Sequence, residues 1–340
     1  MSPEPDGAPI LISGAAGFIG GEMARFVRAA GRDVAGFDLA GTGRAHLQQA
    51  GVPCQDGDVT RREDCDRILA AARPSAVVHC AAAMGGSTPA AEFTRVNLEG
   101  TRTFAAACIA AGVRRFVFIS SVTVHGMPPR AGITEESPLQ SIDLPYADSK
   151  IATEELLLGL HGRGDLEVTI LRPADVYGPR SGEWVVKLVD ALRAGKMILI
   201  GGGSGNVNIT YVDNLSGAVL SALDRPASLG RSYLITDGEP VSWKRYLASL
   251  AGACGAAPPR LSIPAPVAWP LVQVMEALFP LVGRTPPLGR LGLRLLTSKS
   301  AYSIARARAE LGWAPTVGFE EGMRRVAAWI AVAMTGDRSA

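Results

Sequence analysis

Tyr146 and Lys150 stand four residues apart, and on a helix positions i and i+4 share one face. A tyrosine phenol, with an ordinary pKa of about 10, is a poor base near neutrality unless a neighbouring cation favours the phenolate. The sequence therefore predicts that the Lys150 ammonium lies beside the Tyr146 phenol and eases its ionisation. Ser120, Ser121 and Thr123 follow the apolar run 116–119, and their hydroxyls could polarise a substrate oxygen. Alone they would be ordinary strand-end residues. With Tyr146 and Lys150 downstream they form a proton-transfer group.

A second set of residues could hold the reactant that accepts or supplies hydride. Gly14, Gly17 and Gly20 follow the apolar run 10–12 and precede a helical pattern over 18–30. Such a loop permits a tight turn, close approach of a pyrophosphate and close packing of the helix, whose N-terminal N–H groups face the phosphate. Asp38 ends the next apolar run and could accept both hydrogen bonds of an adenosine ribose diol, which favours NAD over NADP; the plain alternative is a turn cap. Arg44 nearby could assist a phosphate instead. Asp58 ends a further strand and could reach an adenine amino group, and Ala81, Ala82 and Ala83 keep bulk away from a cofactor or simply pack tightly. His79, inside an apolar run, reads as a structural histidine, and no histidine has metal-ligand spacing.

The elements needed to position these groups are visible as alternating patterns. Unbroken apolar runs at 10–12, 34–39, 76–80, 116–119 and 168–171 read as parallel strands covered on both faces, with helices over 18–30, 61–72 and 92–111 between them. The fold class is α/β: a Rossmann-type doubly wound parallel sheet with a smaller mixed C-terminal region. A nucleotide-binding domain over 9–173 is expected to carry Ser121, Tyr146 and Lys150, and 174–335 to build the substrate side, with some strands returning to the main sheet. In that half, helices are expected over 183–194, 213–223, 242–251, 304–311 and 319–333, and an extended piece over 197–200.

The 340 residues are 47% hydrophobic, with mean hydropathy +0.18 and net charge +2, so no basic field points to nucleic acid. Five widely spaced cysteines without a CxxC pair argue against a disulfide framework, and the acidic, proline-bearing first residues lack signal-peptide order. A cytoplasmic setting is the simplest expectation. The apolar segment 261–282 approaches the length of a membrane span, but Pro264, Pro266, Pro270, Pro280 and Glu276 oppose one. It reads as a buried or pocket-lining helix, with peripheral membrane contact as the alternative.

Taken in order, Gly14-Ala15-Ala16-Gly17-Phe18-Ile19-Gly20, Asn97-Leu98-Glu99-Gly100-Thr101, Ser120-Ser121-Val122-Thr123-Val124-His125-Gly126, Tyr146-Ala147-Asp148-Ser149-Lys150, Leu171-Arg172-Pro173, Val176-Tyr177-Gly178-Pro179, Tyr211-Val212-Asp213-Asn214 and Glu310-Leu311-Gly312-Trp313-Ala314-Pro315 resemble the extended short-chain dehydrogenase/reductase superfamily, the NAD-dependent epimerases and dehydratases. The resemblance covers nearly the whole chain. It implies NAD as cofactor, Ser121 as catalytic serine, Tyr146 as acid/base and Lys150 as the supporting lysine that also binds the nicotinamide ribose. It extends the cofactor contacts to Ala16, Phe18, Ile19, Val59, Asn97, Ser120 and Pro173. Substrate contacts are expected from Met84, Ser121, Thr123, His125, Tyr146, Ala174 and Val176. A homodimer formed through helices like 92–111 and 148–160 is also implied.

Departures from the family pattern bear on the substrate. Nucleotide-sugar epimerases often carry a pyrophosphate-binding arginine where this chain has Val207, although Arg180 or Arg193 could compensate. His125 replaces a frequent tyrosine, and no Asp-Glu pair follows Ser121 as a dehydratase would want. Val212-Asp213-Asn214-Leu215 and the apolar 261–282 segment resemble the 3-beta-hydroxysteroid and sterol-carboxylate dehydrogenase branch. The leading expectation is an NAD-dependent oxidoreductase interconverting a secondary hydroxyl and a ketone on an apolar small molecule. The alternatives are a nucleotide-sugar epimerase or dehydratase that returns its hydride, and a non-catalytic dinucleotide-binding regulator.

Overall fold

The computed structural model describes residues 7–85, 88–126, 132–279 and 288–334. The apolar runs become strands β1 (Ile10–Ser13), β2 (Val34–Asp38), β3 (Cys54–Asp56), β4 (Ala76–His79), β5 (Arg115–Ile119) and β6 (Glu167–Pro173). Shorter strands follow: β7 (Asp175–Tyr177), β8 (Leu199–Ile200), β9 (Asn206–Val207), β10 (Ile209–Tyr211), β11 (Arg231–Ile235), β12 (Val241–Ser242) and β13 (Ser262–Ile263). The main sheet has seven parallel strands in the order β3-β2-β1-β4-β5-β6-β11. This is the doubly wound arrangement, with β11 as the strand returning from the second half.

Both faces of the sheet are buried because its strands alternate between two cores. Ile10, Ile12, Val117 and Ile119 enter one core, whereas Leu11, Phe116 and Phe118 enter the other. Fully burying one such side chain contributes about 1.5–3 kcal/mol. The first core is closed by α1 (Phe18–Ala29), with α2 (Ala45–Gln49) at its margin; the second includes α3 (Arg62–Ala72). The helix expected over 92–111 is continuous but changes pitch: α4 (Ala90–Phe93), a π-helical turn at Thr94–Gly100, then α5 (Thr101–Ala110). The wider turn carries Asn97, whose side chain bridges two segments of the site. Helix α6 (Pro145–Gly162) opens with Pro145, whose fixed φ suits a first helical position, and carries Tyr146 and Lys150.

The second half has its own aromatic core, in which Tyr177, Tyr211, Trp243, Tyr246 and Phe319 pack together. Its helices are α7 (Lys187–Arg193), preceded by a π-helical turn at Gly182–Val186, then α8 (Val212–Asp224) and α9 (Trp243–Cys254). Next come α10 (Ala265–Leu278), α11 (Arg290–Thr297) and α12 (Phe319–Ala333). Pro270 lies inside α10 without ending it. Ala268 and Val272 of that helix are buried with Ile200 and Leu293 in a separate small cluster, while its opposite face is exposed. Residues 280–282 of the apolar segment lie outside the described residues. Among the described residues, no helix is long and apolar enough to cross a membrane.

Candidate active site

The glycine loop joins β1 to α1 at the point where the sheet order reverses. Gly14 has φ +68°, and a Cβ there would lie 2.7 Å from the Ala81 nitrogen. A Cβ on Gly20 would lie 2.2 Å from the Gly14 carbonyl oxygen, so any side chain would push α1 away from β1. Gly17 caps α1 with no side-chain hydrogen bond, leaving the first turn of the helix to face an anion. Asp38 accepts hydrogen bonds from the Ala16 and Leu39 N–H groups at 2.9 and 2.7 Å, which fixes its carboxylate against the loop. Phe18 and Ile19 are half-buried on the first turn of α1, and Ala81, Ala82 and Ala83 are half-buried along the opposite wall.

These residues fit a dinucleotide. Arg44 is tied to the Asp38, Leu39 and Cys54 carbonyls and to the Asp56 carboxylate, so its charge is already compensated within the loop. Asp58 accepts from the Thr60 N–H and hydroxyl, both at 2.8 Å, in a local turn, and Val59 is core. Asn97 accepts from the Ala83 N–H at 2.7 Å and donates to the Ser149 hydroxyl at 2.9 Å, which staples the loop after β4 to α6. His79 is fully buried between Ser13 and Thr101, and burial pushes its pKa down to about 3.

The hydroxyls and the phenol converge beyond β5. The Ser121 side chain favours ionisation of the Tyr146 phenol and accepts from the Thr123 N–H and hydroxyl at 3.2 and 3.0 Å. Ser121, Thr123 and Tyr146 are half-buried, whereas Lys150 is buried. The Lys150 ammonium sits 5.7 Å from the Tyr146 ring centroid and donates to the Ile119 carbonyl at 2.9 Å. The electrostatic expectation needs correction here. Burial pushes the Tyr146 phenol up to about 12, against the opposing influence of Ser121, and burial brings Lys150 down to about 8. Desolvation is the largest influence on both groups and favours the neutral phenol over the phenolate.

Two expected contacts are redirected inward. Ser120 donates to Glu154 at 2.5 Å, because adjacent residues of an extended segment face opposite sides. His125 is only 2% exposed; its Nδ1 faces the Pro138 carbonyl at 3.3 Å and its Nε2 faces the Arg172 guanidinium at 3.2 Å. Because guanidinium only donates, Nε2 must accept and the ring is held neutral with its proton on Nδ1. Burial and Arg172 both lower its pKa. His125 therefore braces the segment after β5 from the interior. Pro173, Ala174 and Val176 are buried in or beside β6 and β7, and Met84 is exposed on the loop after β4.

Sequence reasoning missed the partner that holds the segment after β5. Glu154 follows Lys150 by four residues, so Tyr146, Lys150 and Glu154 repeat at one-turn spacing, and Arg172 is a charge in the buried part of β6. Those were the available signals. Asp175 is also drawn into the interior, where burial pushes its carboxyl up to about 7. Arg180 donates to Glu22 of α1, Arg193 is exposed at the end of α7, and Val207 is fully buried in the second core.

The loop, the strand order and the Ser-Tyr-Lys arrangement define a dinucleotide-dependent enzyme of the short-chain type. The chain belongs to the NAD dependent epimerase/dehydratase family, whose model matches residues 10–236, and NAD is its cofactor. It is 32% identical over 333 residues to a 2-alkyl-3-oxoalkanoate reductase of Stenotrophomonas maltophilia, covering 94% of this chain and 98% of the relative. It is 30% identical over 328 residues to the human sterol-4-alpha-carboxylate 3-dehydrogenase, decarboxylating, covering 92% and 86%. The Thermus thermophilus UDP-glucose 4-epimerase, solved in complex with NAD, superposes with a TM-score of 0.76 at 27% identity, covering 96% of this chain and 99% of that one. The family description and the Thermus thermophilus structure weigh more for the expected alternative, an epimerase-type reaction, than for net oxidation of an apolar alcohol.

Proposed function

We propose that the chain interconverts a secondary hydroxyl and a ketone on a small organic substrate, with Tyr146 exchanging the oxygen-bound proton and Ser121 polarising that oxygen. NAD, when bound, supplies the site that accepts or returns hydride. The observation that carries this reading is the half-buried Tyr146 phenol with the Lys150 ammonium 5.7 Å from its ring centroid, on the helix that follows the Ser121 segment. Ser121 and the protonated phenol would stabilise a developing alkoxide as it gains its proton. Lys150 places a cation behind the phenol, favouring the phenolate in the reverse direction. Asn97 and Ser149 keep α6 registered against the loop after β4.

The first reading of the substrate is a nucleotide sugar whose hydride returns before release, as the family and its solved members suggest. A second reading, net redox exchange on an apolar alcohol or ketone, is favoured by Val207. This residue stands where a pyrophosphate-binding arginine is expected, and its burial keeps it from any ligand. The reductase and sterol dehydrogenase relatives support the same reading. Both can be tested with purified protein and NAD by following reduced-nicotinamide absorbance and product identity, using UDP- and dTDP-sugars, hydroxysteroids and smaller apolar alcohols, with Tyr146→Phe as control. Sugar conversion without net NADH supports the first reading; sustained NADH with an apolar alcohol supports the second. No conversion in either group, with NAD still bound, would favour the regulator.

A further inference from the structure

Helix α10 presents a face that the active site does not use. Val267, Leu271, Val274 and Leu278 are each 46–55% exposed. Their spacing at i, i+4, i+7 and i+11 confines them to about 60° of the helix circumference at 3.6 residues per turn. The exposed positions between Pro266 and Leu278 include one polar residue, Gln273, and no charge. The helix is anchored from behind by Ala268 and Val272, so the exposed stripe is a fixed feature of the fold. An apolar stripe of this kind on a surface helix has a cost in water that a covering partner would relieve.

The surrounding charge indicates which partner. Between Gly255 and Tyr302 the sequence has five basic residues and a single acid, Glu276. Glu276 is already paired with Arg290 at 2.6 Å. Arg260, Arg294 and Lys299 are exposed on the segments flanking α10. A second copy docked through the same face would bring these cations against their own counterparts. An anionic lipid surface would meet the stripe and the cations together. We propose that α10 lies in the plane of an anionic phospholipid surface, with Val267, Leu271, Val274 and Leu278 reaching the boundary between headgroups and acyl chains.

The test is co-sedimentation of the full chain with vesicles of phosphatidylcholine alone or with one-third phosphatidylglycerol, at low and high salt. The expected result is binding to the anionic vesicles that weakens with salt. Leu271→Glu/Val274→Glu should lose at least tenfold in binding, and Arg260→Glu/Arg294→Glu should weaken it through charge alone. Melting temperature and NAD affinity, measured on both variants, should match the parent because neither pair touches the nucleotide loop. Three results would overturn the proposal: no binding to anionic vesicles, binding unchanged in both variants, or a dimer that the Leu271→Glu/Val274→Glu variant splits.

Discussion

Glu154 and Arg172 form a bidentate ion pair in the interior, with nitrogen–oxygen distances of 2.5–3.2 Å and side chains no more than 5% exposed. The same carboxylate accepts from Ser120, the neighbour of Ser121, and the same guanidinium fixes His125. The pair thus ties the helix carrying Tyr146 to β6 and, through Ser120, to the segment after β5 that carries Ser121.

Removing one member of this pair should be more damaging than removing both. Glu154→Ala leaves Arg172 charged and unpaired, a loss of about 3–5 kcal/mol for a buried pair. Glu154→Leu/Arg172→Leu should recover much of that stability in denaturant titrations. Activity should stay low in the double variant, because Ser120 and His125 lose their shared brace.

Replacing Tyr146 by Phe removes the hydroxyl proposed to exchange the proton and leaves the ring. Turnover should fall by about 10²–10⁴-fold, the range for a positioned acid/base. The NAD dissociation constant, followed by fluorescence titration, should move by less than threefold.

The pH dependence of stability should carry a Lys150 signature. Its folded pKa is about 8, below the ordinary lysine value of about 10.4. Between these values the unfolded chain binds more protons, so the Lys150 contribution to stability rises with pH across this window and is constant below it. Urea titrations at pH 7.5 and 9.5 should show the parent gaining stability relative to Lys150→Met as pH increases. An unchanged difference would place the ammonium in a more solvated environment.

Asp38 should set the choice between NAD and NADP. Its carboxylate is held in place by two N–H groups, and a 2′-phosphate nearby would meet like charge. Asp38→Asn removes the charge with little change of shape. The ratio of NADP to NAD affinity should rise roughly ten- to a hundredfold, equivalent to about 1.4–2.8 kcal/mol of relieved repulsion.

The sheet was legible because each central strand is an apolar run that alternates between two covered faces, and Gly14, Gly17 and Gly20 mark the turn between the first strand and helix. The Tyr146–Lys150 spacing likewise read correctly as one helix, α6. What escaped was contact between distant segments. Nothing local distinguishes Ser120 from Ser121, yet Ser120 donates to Glu154 and Ser121 accepts from Thr123. His125 looked like a substrate contact until Arg172 was seen to hold it. The strands of the second half escaped because several are two residues long, too short for a period to show.

Strand β11 pairs in parallel with β6 along Arg231–Ile235 and Thr169–Pro173. The chain therefore crosses from one half to the other and back before its last helices. A recombinant swap of substrate regions joined at residue 173 would strip β6 of its outer neighbour and leave an unpaired, aggregation-prone edge. Grafting would have to keep 231–235 with the host sheet and exchange two separate inserts. Diversification of specificity on this scaffold is thus easier by changing loops and helix faces than by trading the C-terminal half as a cassette.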